Sequence, residues 1–146
     1  MGCLCSTDLD TATKDIPLFS FKDRKVKAKP VYIYDGDTCH MVFKFNGKLQ
    51  RFKIRMAGYD SPEIHPKKAG RTEESLQKER EAGQKAKERL QELIGNKVIT
   101  VLLGDFDKYG RLLGTVYLKS GACINEMMIQ EGFGYVYDGG TKKKNF

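Results

Sequence analysis

The stretch RMAGYDSPEIHPKK at 55–68 sets Asp60 and Glu63 on either side of a Ser61-Pro62 turn, with Arg55 just upstream. A second stretch, DGDT at 35–38, carries Asp37 in a turn of its own. Two carboxylates brought close together repel unless a proton or a cation sits between them. Aspartate side chains joined by a backbone carbonyl make an all-oxygen set, which suits a hard cation, calcium or magnesium, and not zinc. Such a cation is a Lewis acid toward a phosphate oxygen. A guanidinium, here Arg55, can grip two oxygens of the same phosphate, and a further carboxylate, Glu63, can orient or deprotonate a water.

The elements that must position these groups follow from periodicity. From Lys25 the pattern is β: lysines at 25, 27 and 29 alternate with small or apolar residues, and VYIY at 31–34 continues the run. A second strand puts Cys39, Met41, Phe43 and Phe45 on one face, and Asn46-Gly47 is a two-residue hairpin signal. The return strand turns Phe52, Ile54 and Met56 inward and Arg51, Lys53 and Arg55 outward. With Asn46 and Gly47 as the loop, Arg55 pairs with Thr38, beside Asp37. Gly58 and the Ser61-Pro62 turn then let the chain curl back, so that Asp60 meets Asp37 and the guanidinium. A charged helix from about Thr72 to Gly95 has a narrow stripe of Ala82, Ala86, Leu90, Leu93 and Ile94, weakened at Gly83. KVITVLL at 97–103 and RLLGTVYL at 111–118 are strands flanking a GDFDKYG loop, and a short helix runs from about Ile124 to Glu131. The order βββαββα predicts a β-barrel with helices, a five-stranded Greek-key barrel of the OB type.

Domain boundaries are expected at 1–23 for an amino-terminal arm and linker, 24–138 for the barrel domain and 139–146 for a basic tail. The formal net charge is +7; residues 1–21 carry −2, which leaves +9 on the rest of the chain. That excess calls for an anionic partner, nucleic acid or an anionic membrane face. Binding is expected to be largely electrostatic and indifferent to base sequence. The four cysteines do not have the spacing of a disulfide framework or a zinc site, and a reducing compartment suits them.

Four segments, DGDT at 35–38, RMAGYDSPE at 55–63, DKYGR at 107–111 and INEMMIQEGFGYVY at 124–137, resemble the staphylococcal nuclease (thermonuclease) family in content and order. The resemblance spans about 26–137. It implies an OB barrel and a calcium-dependent endonuclease, a phosphodiesterase that hydrolyses DNA and RNA, with the chain acting as a monomer. By motif position, Asp37 and Asp60 resemble the Ca2+ carboxylates and the Ser61 carbonyl a further ligand. Glu63 resembles the general base, Arg55 and Arg111 the phosphate clamps, and Lys108 and Tyr109 the lining of the nucleotide phosphate. Tyr135 or Tyr137 would flank the base. Family members usually continue into a third helix, which is expected to be missing here, because a basic tail without helical pattern follows the domain.

Bland readings compete. Asp35 and Asp105 read as turn formers, His40 as an exposed strand residue, His65 as a loop residue, and 73–92 as a solvated face. Both arginines are expected to act on transition-state charge without supporting the fold. Rival functions are a catalytically silent nucleic-acid-binding module and a membrane-tethered basic adaptor. Finally, MGCLCS at 1–6 matches a myristoylation pattern at Gly2, with Cys3 and Cys5 placed for palmitoylation. It predicts a lipid anchor on the cytoplasmic face of a eukaryotic membrane.

Overall fold

In the computed structural model, which describes residues 7–137, a single helical turn, α1 (Thr7–Asp10), precedes an arm that leads into strand β1 (Lys25–Ile33). Strands β2 (Thr38–Phe45) and β3 (Lys48–Met56) form the hairpin that the Asn46-Gly47 pair dictates. Both turn residues have positive φ, 52° and 75°, as a turn matching the strand twist requires. The register runs from Phe45↔Lys48 to Thr38↔Arg55, as the hairpin arithmetic predicts. β1 lies antiparallel to β2, but its register slips by one residue between Pro30 and Tyr32.

A two-residue strand, β4 (Tyr59–Asp60), follows, and then the long helix α2 (Glu73–Ile94). The Thr72 hydroxyl caps α2 by accepting the Ser75 N–H at 3.1 Å, and Glu73 and Glu74 complement the positive end of the helix. Strands β5 (Ile99–Phe106) and β6 (Leu112–Tyr117), the short helix α3 (Ile124–Gln130) and β7 (Tyr135–Val136) complete the described chain. The five long strands close in the order β1-β2-β3-β6-β5, with β3–β6 the one parallel contact among the described pairs and β1–β5 sealing the barrel. This is the Greek-key order of an OB barrel. Met41, Ile54, Met56, Val101, Leu112 and Val116 fill its interior, and α2 lays Ala86, Leu90 and Ile94 into the same core.

Several expectations need correction. β5 extends through Gly104, Asp105 and Phe106, so the loop is shorter than read. In α2 the fully covered position is Gly83, whereas Ala82 is half-buried. The polar face of α2 is not wholly solvated, because Glu79 is buried and paired with Arg71. Phe21, which composition assigns to the linker, is 4% exposed. Its ring sits among Phe43, Phe45, Phe52 and Phe106 at centroid distances of 5.0–6.0 Å, so the arm is fastened there to the hairpin end of the barrel. No helix among the described residues is long and apolar enough to cross a membrane. Gly2, Cys3, Cys5 and the tail on which the expected loss of a third helix turns lie outside the described residues.

Candidate active site

Arg55 leaves the outer face of β3, yet only 6% of it is exposed. Two Nη1 donations, to the carbonyls of Met56 (3.0 Å) and Tyr59 (2.8 Å), fix the guanidinium under the loop that follows its own strand. Asp37 Oδ2 lies 3.4 Å from Nη1, and Asp60 Oδ1 3.3 Å from Nη2. The two carboxylates predicted to converge on this guanidinium do so. Gly58, at φ +87°, makes the reversal that returns Asp60 to Asp37. β4 is then held by β7, with Asp60 opposite Tyr135 and the Tyr137 N–H donating to the Gly58 carbonyl.

The turn bearing Asp37 is clamped from both sides. Asp37 accepts from the Ser61 N–H at 2.8 Å and from the Thr38 hydroxyl at 2.9 Å. Burial works against its charge, but Arg55 and these donors outweigh burial and hold its carboxyl below the usual range. Asp35 takes the opposite course: burial, and then repulsion from Asp37, pushes it up to about 7. Asp35 does form the turn, accepting the Asp37 N–H at 3.0 Å, but it also lines the site, which its reading as a turn former missed.

Arg111 approaches from the loop before β6. Its Nε donates to Asp107 (2.8 Å) and its Nη1 to the Thr38 hydroxyl (3.1 Å), beside Asp37. Burial raises the Asp107 carboxyl, but the N–H groups of Arg111 and Tyr109 and the Arg111 charge outweigh it and leave it lowered. Lys108 and the Arg111 guanidinium both lie over the Tyr109 ring, which is itself 71% exposed.

These groups meet at two adjoining cavities. One, of about 570 Å³, has apolar walls from Leu113 and Val136; the other, of about 860 Å³, is lined by Asp35, Asp37, Asp60 and Glu63. Arg55, Lys108, Tyr109, Arg111 and Tyr137 border both. Tyr137 lies 5.8 Å from the Arg55 guanidinium and borders both cavities, while Tyr135 takes its place in the β-ladder and lines neither. His65 is exposed, whereas His40 is half-buried and borders the acidic cavity.

Other supports were not read from the sequence. The Tyr59 hydroxyl donates to the Gly36 carbonyl at 2.7 Å from a fully buried ring. Asn125 in α3 accepts from the Val116 N–H and donates to the Ala57 and Gly114 carbonyls, bracing the chain just after β3. Two glycines permit close approach. A Cβ on Gly36 would stand 2.7 Å from Ala86 and 2.8 Å from Ser61; one on Gly83 would stand 2.8 Å from the Glu63 backbone. A glycine in mid-helix was the available signal for this contact, and it pointed to helix weakness instead.

Among the described residues no three His, Cys, Asp or Glu side chains converge as a complete metal-ligand set. The Asp37 and Asp60 carboxylates and the Ser61 carbonyl are nonetheless all oxygen donors, the chemistry of a hard cation that completes its shell with water and substrate oxygens.

A family model described as "Staphylococcal nuclease homologue" matches residues 53–145. The chain belongs to this family. The chain is also similar to an uncharacterized endonuclease of Escherichia coli O157:H7, 26% identical over 113 residues, covering 77% of this chain and 62% of that protein. Endonuclease YhcR of Bacillus subtilis is 36% identical over 110 residues, 72% of this chain and 8% of its own length. Staphylococcal-like nuclease CAN1 of Arabidopsis thaliana is 26% identical over 135 residues, 85% of this chain and 37% of its own. The chain thus spans less than two thirds of these relatives' length. The family match begins inside β3, so it includes Arg55, Asp60, Glu63 and Arg111 and leaves the Asp37 turn to the geometry.

Proposed function

We propose that this protein is a calcium-dependent endonuclease that hydrolyses phosphodiester bonds of DNA and RNA with little sequence preference. The observation that carries this reading is a buried Arg55 held between Asp37 and Asp60 on a cavity that Arg111 also borders. Membership of a nuclease family supports it.

Asp37, Asp60 and the Ser61 carbonyl would hold the cation, which supplies Lewis-acid polarisation of the phosphate. Arg111 reaches into the cavity with its charge anchored by Asp107, and it binds a phosphate oxygen as negative charge grows there. Arg55 fixes the two carboxylates and gives its remaining N–H groups to the same phosphate. Glu63, half-buried at the cavity wall, orients a water and takes its proton. Lys108, Tyr109 and Tyr137 hold the nucleotide beside that phosphate. Nothing in this scheme needs a second subunit, and the protein works as a monomer.

Supercoiled plasmid incubated with purified protein and calcium should become nicked and then fragmented, and chelator should stop the reaction. Plasmid left intact at high enzyme concentration would instead identify a silent nucleic-acid-binding module.

The protein is also lipid-anchored through Gly2, Cys3 and Cys5. The MGCLCS pattern supports this, and so does the arm that follows it, where Ile16, Leu18 and Phe19 are 61–95% exposed.

A further inference from the structure

The one-residue slip in β1 has a chemical result. Before it, Ala28 and Pro30 point into the barrel in the usual alternation. Had that alternation continued, Tyr32 and Tyr34 would also point inward. Instead Val31 is the extra residue, Ile33 takes the buried place, and Tyr32 and Tyr34 are 50% and 53% exposed. Bulges of this kind re-aim side chains and are common beside active sites. Here the re-aimed rings line the same cavity as Asp37, Arg55 and Arg111. Tyr32 meets the His40 ring edge-on at 5.2 Å, and Lys53, directly opposite His40 in the hairpin, stands at the rim of this cavity. Burial, and then the charges of Arg51 and Lys53, lower the His40 pKa, which favours the neutral imidazole as an aromatic surface.

An isolated exposed tyrosine needs no explanation. Two of them, with a histidine and a lysine beside a phosphate-binding centre, are the aromatic-plus-cation combination that holds unpaired nucleic acid. Bases paired inside a duplex keep their faces stacked on their neighbours, so these rings are open to unpaired bases.

We infer that Tyr32, Tyr34 and His40 form a second base-stacking subsite for unpaired bases, in the same cavity as the Arg55–Arg111 centre, Tyr109 and Tyr137. The subsite rests on the nuclease reading for its place in a reaction, but its binding is measurable without turnover.

The test is fluorescence anisotropy with a labelled oligothymidylate of about ten nucleotides, within the usual span of such sites, and a duplex of equal length, both in chelator. Compared are the parent, Tyr32→Ala/Tyr34→Ala and Tyr32→Phe/Tyr34→Phe. The alanine pair should bind the single strand at least about 25-fold more weakly, the low end of two lost stacking contacts. The phenylalanine pair should stay within about twofold of the parent, because stacking needs the ring and not the hydroxyl. Duplex binding should be little changed by either pair. Should the alanine pair not fold, Tyr34→Ala alone, beyond the end of β1, should still weaken single-strand binding about fivefold. Alanine variants that bind oligothymidylate as tightly as the parent overturn the inference, as do phenylalanine variants that lose as much as alanine. A parent that cuts plasmid while its alanine pair binds normally removes the subsite and leaves the nuclease. A parent that does not cut but shows the aromatic dependence keeps the subsite and removes the nuclease.

Discussion

Arg55 and Arg111 face the same cavity but are held in different ways, and the difference separates their mutants. Arg55 commits at least three of its five N–H donors to protein oxygens and neutralises two buried carboxylates. Its replacement by alanine leaves Asp37 and Asp60 uncompensated in the interior, which costs about 3–5 kcal/mol. The expectation that Arg55 could be removed with the fold intact is therefore withdrawn: Arg55→Ala should lose activity and also melt early in a thermal scan. Arg111, with about a quarter of its side chain exposed, is the cleaner probe. Arg111→Ala should lower kcat by about 10³-fold or more, as loss of a transition-state charge does, with an unfolding midpoint close to the parent's. Asp107 offers a further check. Its folded-state pKa lies below the unfolded value, so the stability it contributes is present above the ordinary carboxylate range and is lost as pH falls through the lowered value. Urea titrations should show Asp107→Asn less stable than the parent at pH 7, with the gap closing on acidification below about 3.9, the ordinary aspartate value. That Thr38 faces Arg55 was legible in the sequence, because a two-residue turn makes register a matter of counting. The burial of Arg55 was not, since Tyr137 lies beneath it from 82 positions further along the chain.

At the level of elements, the site depends on how closely α2 can approach the loop bearing Glu63. Gly83 permits that approach, and alanine there would raise helix propensity by about 1 kcal/mol while pressing a Cβ 2.8 Å from the Glu63 backbone. Backbone cannot yield as a flexible side chain does. Gly83→Ala should therefore keep its helical circular dichroism yet lower kcat by about tenfold to a hundredfold, since small displacements of a catalytic group are that costly. Unchanged kcat would show that Glu63 is not held by this contact. The strands and α2 were legible because their periodicity runs over six residues or more. β4 and β7 were not: two residues carry no period, and their pairing is set by the reversal at Gly58. The slip in β1 was hidden for a related reason, since VYIY reads equally well in either phase of the alternation.

For the molecule as a whole, composition reads as a basic domain but does not show where the arm joins the body. Phe21 could not be singled out, because one aromatic residue in a polar stretch has no pattern around it. If Gly2, Cys3 and Cys5 are acylated, a carboxyl-terminal fluorescent fusion should sit at membranes in eukaryotic cells. Gly2→Ala and the Cys3→Ser/Cys5→Ser pair should release it, and unchanged localisation in both would end the lipid-anchor proposal. The seating of Phe21 gives the protein two poles. The arm departs near Phe43 and Phe45, at the far end of β2 from Thr38, and five to seven residues of strand separate them by about 20 Å. A handle on the amino-terminal side, whether bilayer, resin or fused domain, is thus mounted at the base while the cavity of Asp37, Arg55 and Arg111 looks outward. Reach and orientation are settled by one phenylalanine, and cargo can be exchanged at that pole without obstructing the other.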